Sequence, residues 1–195
     1  MDGTTQQSNA WKTLFAVSLG VIVVNIDYWS VAVALPDMAK QFEVSTVSLD
    51  WVISAYIISF CATMSVAGRL GDIFGRKKLL LLGILIFGLV SMWVGLSDSF
   101  LMIVVARVAL GIGAGLIYPL ATAVLSNATS PSSMTKMLGL LTGVGAVGAA
   151  IGPVVGGILT ETMGWQWIFY LNAPVSVAAL FMVSLGTNES KDEQA

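Results

Sequence analysis

The chain has no histidine, a single cysteine and little charge: Lys, Arg, Asp and Glu make up 10% of its 195 residues, against about 25% in a soluble domain. The missing histidine removes the commonest metal ligand and general base, and with it the usual catalytic triads. Cys61 lies alone inside an apolar run, so it supports neither a disulfide framework nor a thiolate metal cluster. The net charge is -2 and there is no basic tail, so nucleic acid is not an expected partner. No nucleophile–base pair or phosphate-cradling loop stands out. An enzyme is therefore not expected, and neither is a metal or an organic cofactor.

What is present is apolar. Hydrophobic residues make up 56% of the chain and the mean hydropathy is +0.88, with several apolar runs close to the length that crosses a bilayer core of about 30 Å. The expected fold is all-α and integral to the membrane: a bundle of six transmembrane helices at about residues 14–35, 51–67, 79–96, 101–125, 137–159 and 167–185. A polar tail (1–11) precedes the bundle (12–186) and a second polar tail (187–195) follows it. The first run is too long for the apolar core of a signal peptide and is read as a retained span. Pro36 is expected to end it, and Ser48 or Asp50 to cap the next helix.

Placing both termini inside puts Lys12, Arg69, Arg76, Lys77, Lys78, Lys136 and Lys191 on the cytoplasmic side and only Lys40 outside. That imbalance predicts an N-in, C-in topology. Trp51, Trp93, Trp165 and Trp167 then fall near the outer interface as an aromatic belt.

Two ionisable side chains sit well inside spans, Asp27 and Arg107. Charges at such depth are costly and normally face a partner or a watery cavity. Asp27 is 13 residues beyond Leu14 on an outward-running helix, about 20 Å from the inner surface at about 1.5 Å per residue. Arg107 is six residues below Leu101 on an inward-running helix, about 9 Å from the outer surface by the same rise. The two are thus expected at one level, facing a polar cavity and pairing or sharing water. Burial favours a neutral aspartic acid and a neighbouring Arg favours the carboxylate, so Asp27 could switch between them and serve a proton-coupled step. The plainer alternative is a static ion pair that only fixes packing.

Two other stretches stand out. In Gly68–Lys78 (GRLGDIFGRKK) the glycines Gly68, Gly71 and Gly75 permit a tight turn, and Asp72 can accept hydrogen bonds from a nearby helix N-terminus. A simple positive-inside anchor would need only Arg76, Lys77 and Lys78. Gly139–Gly157 (GLLTGVGAVGAAIGPVVGG) holds seven glycines and Pro153 without a charge. Gly148, Gly152 and Gly156 recur every fourth residue, which makes a flat face for close backbone approach, and Pro153 is expected to kink the helix. This face reads either as an ordinary small-residue packing seam or as a bend at a mobile interface.

These residues resemble signatures of the major facilitator superfamily. GRLGDIFGRKK is similar to its loop 2–3 motif, with Gly68, Asp72, Gly75, Arg76 and Lys77 in place. Arg107 with Gly111 and Gly113 resembles the fourth-helix motif, with Leu110 where Gln is usual. Gly139, Gly148, Gly152, Pro153, Gly156 and Gly157 match the fifth-helix antiporter motif. WQWIFYLNAP (Trp165–Pro174) and Asp27 with Val33-Ala34-Leu35-Pro36 are similar to motifs of the 14-span drug:proton antiporters.

The resemblance implies the N-terminal six-helix half of a multi-pass inner-membrane exporter. It implies antiport of drugs or other small amphipathic molecules, with the proton gradient as the energy source and no cofactor. Asp27 would be the protonation or cation site and Arg107 its relay partner. Gly68, Asp72, Gly75, Arg76 and Lys77 would form a conformational latch, and the fifth-helix motif an inter-bundle hinge. In the family the latch also uses an acid at the inner end of helix four; here that end reads Ser126, Asn127, Ala128, so an incomplete latch is expected.

Two such halves enclose a pathway, which implies a second six-helix half or a homodimer beside the lipid bilayer. The Gly148/Gly152/Gly156 groove and the Asp72 loop are expected to meet helices outside this chain. The competing reading is a truncated or split non-transporting subunit that binds or modulates a full-length relative. Nine Met and the aromatics Trp29, Tyr56, Phe60 and Tyr118 suit a promiscuous apolar cavity.

Overall fold

The computed structural model describes residues 3–190 as six helices with short connections. They are α1 (Gly3–Phe42), α2 (Thr46–Phe74), α3 (Arg76–Gly95), α4 (Phe100–Ala128), α5 (Met134–Thr162) and α6 (Gln166–Gly186). All six are long and apolar enough to cross a membrane. The expectation placed on Lys191 lies outside the described residues.

The helices overrun the expected spans because polar ends and prolines do not stop them. α1 continues through Pro36 to Phe42. Its last turns are drawn onto the bundle by fully buried Met38 and by Phe42, whose ring lies 6.4 Å from Phe100 and 6.1 Å from Trp165. α2 starts a turn earlier than Ser48: Ser45 is its N-cap, and the Ser48 amide donates to the Ser45 Oγ at 3.2 Å. α2 also absorbs Gly68–Phe74, so most of the expected loop is helix. Gly75 alone makes the turn into α3, with φ of 109°, where a Cβ would be strained.

α1 and α4 are the most enclosed helices, while α2 and α5 leave most of their surface uncovered. α1 packs on α5 as α4 packs on α2, and α3 lies against both α4 and α6. The first and last three helices thus repeat one pairing scheme. Small residues set the distances: a Cβ on Gly83 would meet the Gly113 carbonyl at 3.0 Å, and one on Gly88 the Ser176 Cβ at 2.8 Å.

Both ends of the described chain lie at one end of the bundle. The Thr13 hydroxyl donates to the Gly186 carbonyl at 3.3 Å, and Asn127 donates to Ser190 at 2.7 Å. The Phe42–Phe100–Trp165 cluster closes the other end. Trp165 belongs to this core rather than to a belt: it is 2% exposed and its indole N–H donates to Gln41 at 2.7 Å. Trp51, Trp93 and Trp167 do remain exposed.

Candidate functional site

Asp27 on α1 and Arg107 on α4 meet inside the bundle. Arg107 Nη1 donates to Asp27 Oδ2 at 2.7 Å, and both side chains are wholly buried. The shared level estimated from helical rise is therefore real, and at that level the pair is shut off from solvent. Neither residue lines the groove that opens between α1, α4 and α5. They face each other because the helices carrying them are the two most enclosed by neighbours.

Other groups complete the centre. Arg107 Nε donates to the Val52 carbonyl at 2.9 Å, and its guanidinium lies 4.1 Å from the centre of the Tyr56 ring. That contact needs α2 and α4 to run close together, which Gly111 and Gly115 allow. A Cβ on Gly111 would collide with Ser59 Oγ and the Tyr56 carbonyl, and one on Gly115 would lie 2.7 Å from the Phe60 carbonyl. From α6, Asn172 Nδ2 donates to Asp27 Oδ1 at 2.7 Å and reaches Ser91 Oγ on α3 at 3.3 Å. Each carboxylate oxygen of Asp27 thus has its own donor. Arg107 Nη2, Asn172 Oδ1, Ser176 Oγ and the Tyr56 hydroxyl are buried without a hydrogen-bond partner.

Asn172 was not singled out from the sequence, since it carries no charge and sits within a longer motif. A buried amide in a span normally seeks a partner on another helix, and that rule alone would have marked it.

A groove of about 550 Å³ opens beside this centre, between α1, α4 and α5. α1 supplies Asn25 and Trp29 to it while aiming Asp27 inward, and α4 supplies Tyr118 while aiming Arg107 inward. Asn25 Nδ2 donates both to the Val21 carbonyl at 2.8 Å and to the Tyr118 hydroxyl at 2.7 Å. The Thr122 and Thr142 hydroxyls donate back to their own helices at 3.1 and 3.0 Å. The polar capacity left for a visitor is the Asn25 carbonyl, the Tyr118 O–H and the lone pairs of the two threonine hydroxyls, beside the half-exposed Trp29 indole. No charged residue lines the groove. Of the aromatics expected there, Trp29 and Tyr118 line it. Tyr56 lies under Arg107 instead, and Phe60 bridges the two, 6.1 Å from the Tyr56 ring and 6.0 Å from Tyr118.

The small-residue face of α5 does not wait for an outside helix: α1 already fills it. A Cβ on Gly148 would meet the Ile22 carbonyl at 2.9 Å, one on Gly152 the Trp29 Cβ at 2.7 Å, and one on Gly156 the Ser30 Cα at 2.7 Å. The Ser30 hydroxyl donates across this seam to the Gly152 carbonyl at 2.7 Å. The inter-bundle groove expected at these three glycines is thus corrected to a seam within the bundle. The reason is that no Cβ holds the two backbones apart. Gly139 has open space around it, Gly157 meets only Val33 at 3.9 Å, and Pro153 lies inside the unbroken helix.

The loop residues are likewise engaged within the chain. Arg76 donates to Asp72 Oδ1 through Nε at 2.8 Å and Nη2 at 2.7 Å, while its Nη1 donates to Asn127 Oδ1 at 2.9 Å. Asn127 stands where the family's acid is expected and accepts as a neutral amide. Asp72 itself reaches no helix N-terminus. That role falls to Glu189, whose Oε1 accepts from the Lys77 amide at 3.1 Å. The Arg76 amide donates to the Ser190 carbonyl at 3.1 Å. Lys77 Nζ donates to the Ser184 and Thr187 carbonyls, both at 2.7 Å. Gly68 has nothing near it, and Gly71 makes room for Leu120.

Comparison with known proteins gives a concordant result. The family model described as Major Facilitator Superfamily matches residues 17–195. The chain is 34% identical to the tetracenomycin C resistance and export protein of Streptomyces glaucescens over 95% of its length and 34% of that protein's. It is 33% identical to the multidrug resistance protein Stp of Mycobacterium tuberculosis (strain CDC 1551 / Oshkosh) over 94% of its length and 34% of that protein's. It spans about a third of the length of such relatives. Among solved structures, a double tryptophan mutant of XylE superposes with a TM-score of 0.82 at 15% identity. That match covers 94% of this chain and 46% of the other.

Proposed function

The chain belongs to the Major Facilitator Superfamily, and on that premise we propose that it serves proton-coupled export of small amphipathic molecules as a half-transporter. The observation that carries this reading is the double duty of two helices. α1 and α4 present Asn25, Trp29 and Tyr118 to the groove and hold the Asp27–Arg107 pair behind it. A change in the charge of Asp27 therefore acts on the same helices that would touch a substrate. Protonating Asp27 removes its ionic attraction to Arg107 while leaving Arg107 charged, so the α1–α4 contact weakens and the two helices can part. Substrate leaving the groove on one face and a proton leaving Asp27 on the other would each favour a different packing of α1 on α4, which is antiport.

The groove favours amphipathic, uncharged or delocalised aromatic ligands. Trp29 offers a stacking face, and Asn25 and Tyr118 offer one acceptor and one donor. Relatives named for resistance and export support the direction of transport. We place the end bearing Lys12, Arg69, Arg76, Lys77, Lys78 and Lys136 in the cytoplasm of the cell membrane, by the excess of Lys and Arg there. Its opposite wall would come from a second six-helix bundle, a second copy or another chain, packed in parallel.

The test is ethidium efflux from cells expressing the chain, with and without an uncoupler that collapses the proton gradient. Efflux that requires the gradient and fails in Asp27→Asn is expected. Gradient-driven efflux that survives Asp27→Asn would overturn the assignment. No efflux above that of vector-only cells would favour a non-transporting subunit.

A further inference from the structure

The orphaned atoms around Asp27 are unevenly distributed. Asp27 Oδ1 and Oδ2 each have a donor, yet Asn172 Oδ1, within the same buried cluster, has none. Leaving a buried acceptor unpaired costs free energy that a pairing partner would recover. The same amide spends both Nδ2 protons, one on Asp27 Oδ1 at 2.7 Å and one on Ser91 Oγ at 3.3 Å. This arrangement suits a charged Asp27, whose two oxygens both accept. If a proton came to Asp27 Oδ1, an O–H would face an N–H, and the contact would turn repulsive.

One motion repairs this without moving a helix. A half-turn of the Asn172 amide exchanges its oxygen and nitrogen. Oδ1 then accepts from the new Asp27 O–H, and the Ser91 hydroxyl can rotate to donate to it as well. The displaced Nδ2 needs an acceptor, and the Ser176 hydroxyl, one turn along α6 and itself buried without a partner, can supply it only if its own side chain turns toward the amide. We propose that Asn172 is a positioning residue that reads the protonation state of Asp27, donating to the carboxylate and accepting from the acid.

The proposal rests on Asp27 taking up a proton. It adds that the change is passed to α6 and α3 through a neutral amide, as well as to α4 through Arg107. The groups facing Asp27 are few. Among the described residues, Arg107 comes from α4 and Tyr56 from α2, while Asn172 of α6 and, behind it, Ser91 of α3 complete the cluster, and neither of these two titrates near neutral pH. An infrared difference spectrum between acid and alkaline pH is therefore simple to assign at this site.

The experiment uses the full chain in detergent, with asparagine side chains isotopically labelled. Asn172→Leu identifies the Asn172 amide band by its loss. Asn172→Gln, which keeps an amide but removes the label, does the same if the leucine variant fails to fold. The expected result is that the carboxyl band of Asp27 appears at acid pH together with a shift of the labelled Asn172 band. Both changes should be absent in Asp27→Asn. A carboxyl band that appears with no change in the Asn172 band overturns this proposal and leaves the proton-coupled reading standing. If Asp27 gives no carboxyl band at any pH at which the protein is folded, both fail.

Discussion

Among the described residues two acid–arginine pairs form, and they differ in almost every respect that sets an energy. Asp27–Arg107 joins two helices 80 residues apart in the chain and is wholly buried. Asp72–Arg76 joins neighbours four residues apart, with side chains 29% and 23% exposed. The hydrogen-bond lengths are the same, 2.7 Å in each. Distance alone therefore says nothing of their weight. In the first pair each charge has lost its water and depends on the other. In the second, water and the neutral amide of Asn127 share the load. The buried pair is suited to switching, because removing one charge changes the stability of the whole helix contact. The partly exposed pair is suited to trimming the inner end.

The sharpest way to break that contrast is to remove one member of each pair. Arg107→Leu strands the Asp27 carboxylate and is expected to cost about 3–5 kcal/mol. Asp27→Leu with Arg107→Leu should be markedly less destabilised than Arg107→Leu alone. Both are read by thermal unfolding in detergent. A smaller effect comes from the α1–α5 seam. Gly152→Leu would force its side chain into Trp29 and is expected to cost about 1–3 kcal/mol. Gly139→Ala, in open space, should be neutral or gain up to about 1 kcal/mol through helix propensity. Equal losses at both glycines would mean that α1 does not fill the seam. The smallest effects belong to the inner end. Asp72→Asn is expected to cost about 0–1 kcal/mol, with the loss shrinking as salt is raised. Glu189→Ala should cost about 0.5–2 kcal/mol through loss of the α3 cap. Arg76→Gln separates these two by denaturation, since it should abolish the effect of Asp72→Asn and leave that of Glu189→Ala.

Much of this could be seen before any coordinates. Six spans follow from apolar run length, and the meeting of Asp27 with Arg107 follows from counting rise along helices that run in opposite directions. What stayed hidden depends on which faces turn toward each other. Periodic glycines announce a close approach but not the partner: the sequence leaves open which helix meets the Gly148–Gly156 face, and α1 fills it. Polar residues announce a membrane surface but not the end of a helix: Gly68–Phe74 has the composition of a loop, and α2 runs through it. Neutral partners such as Asn127 and Asn172 carry no charge signal, and Glu189 approaches α3 from more than 100 residues away.

The most direct measurement is proton release on ligand binding. Ethidium is added to the purified chain in weakly buffered detergent, at an acid pH where the Asp27 carboxyl band is present, and a pH indicator records any proton set free. Release from the unaltered protein and from Asp72→Asn, but not from Asp27→Asn, is the predicted result. Equal release from all three proteins would show that the buried pair is a packing device and that the proton is held elsewhere.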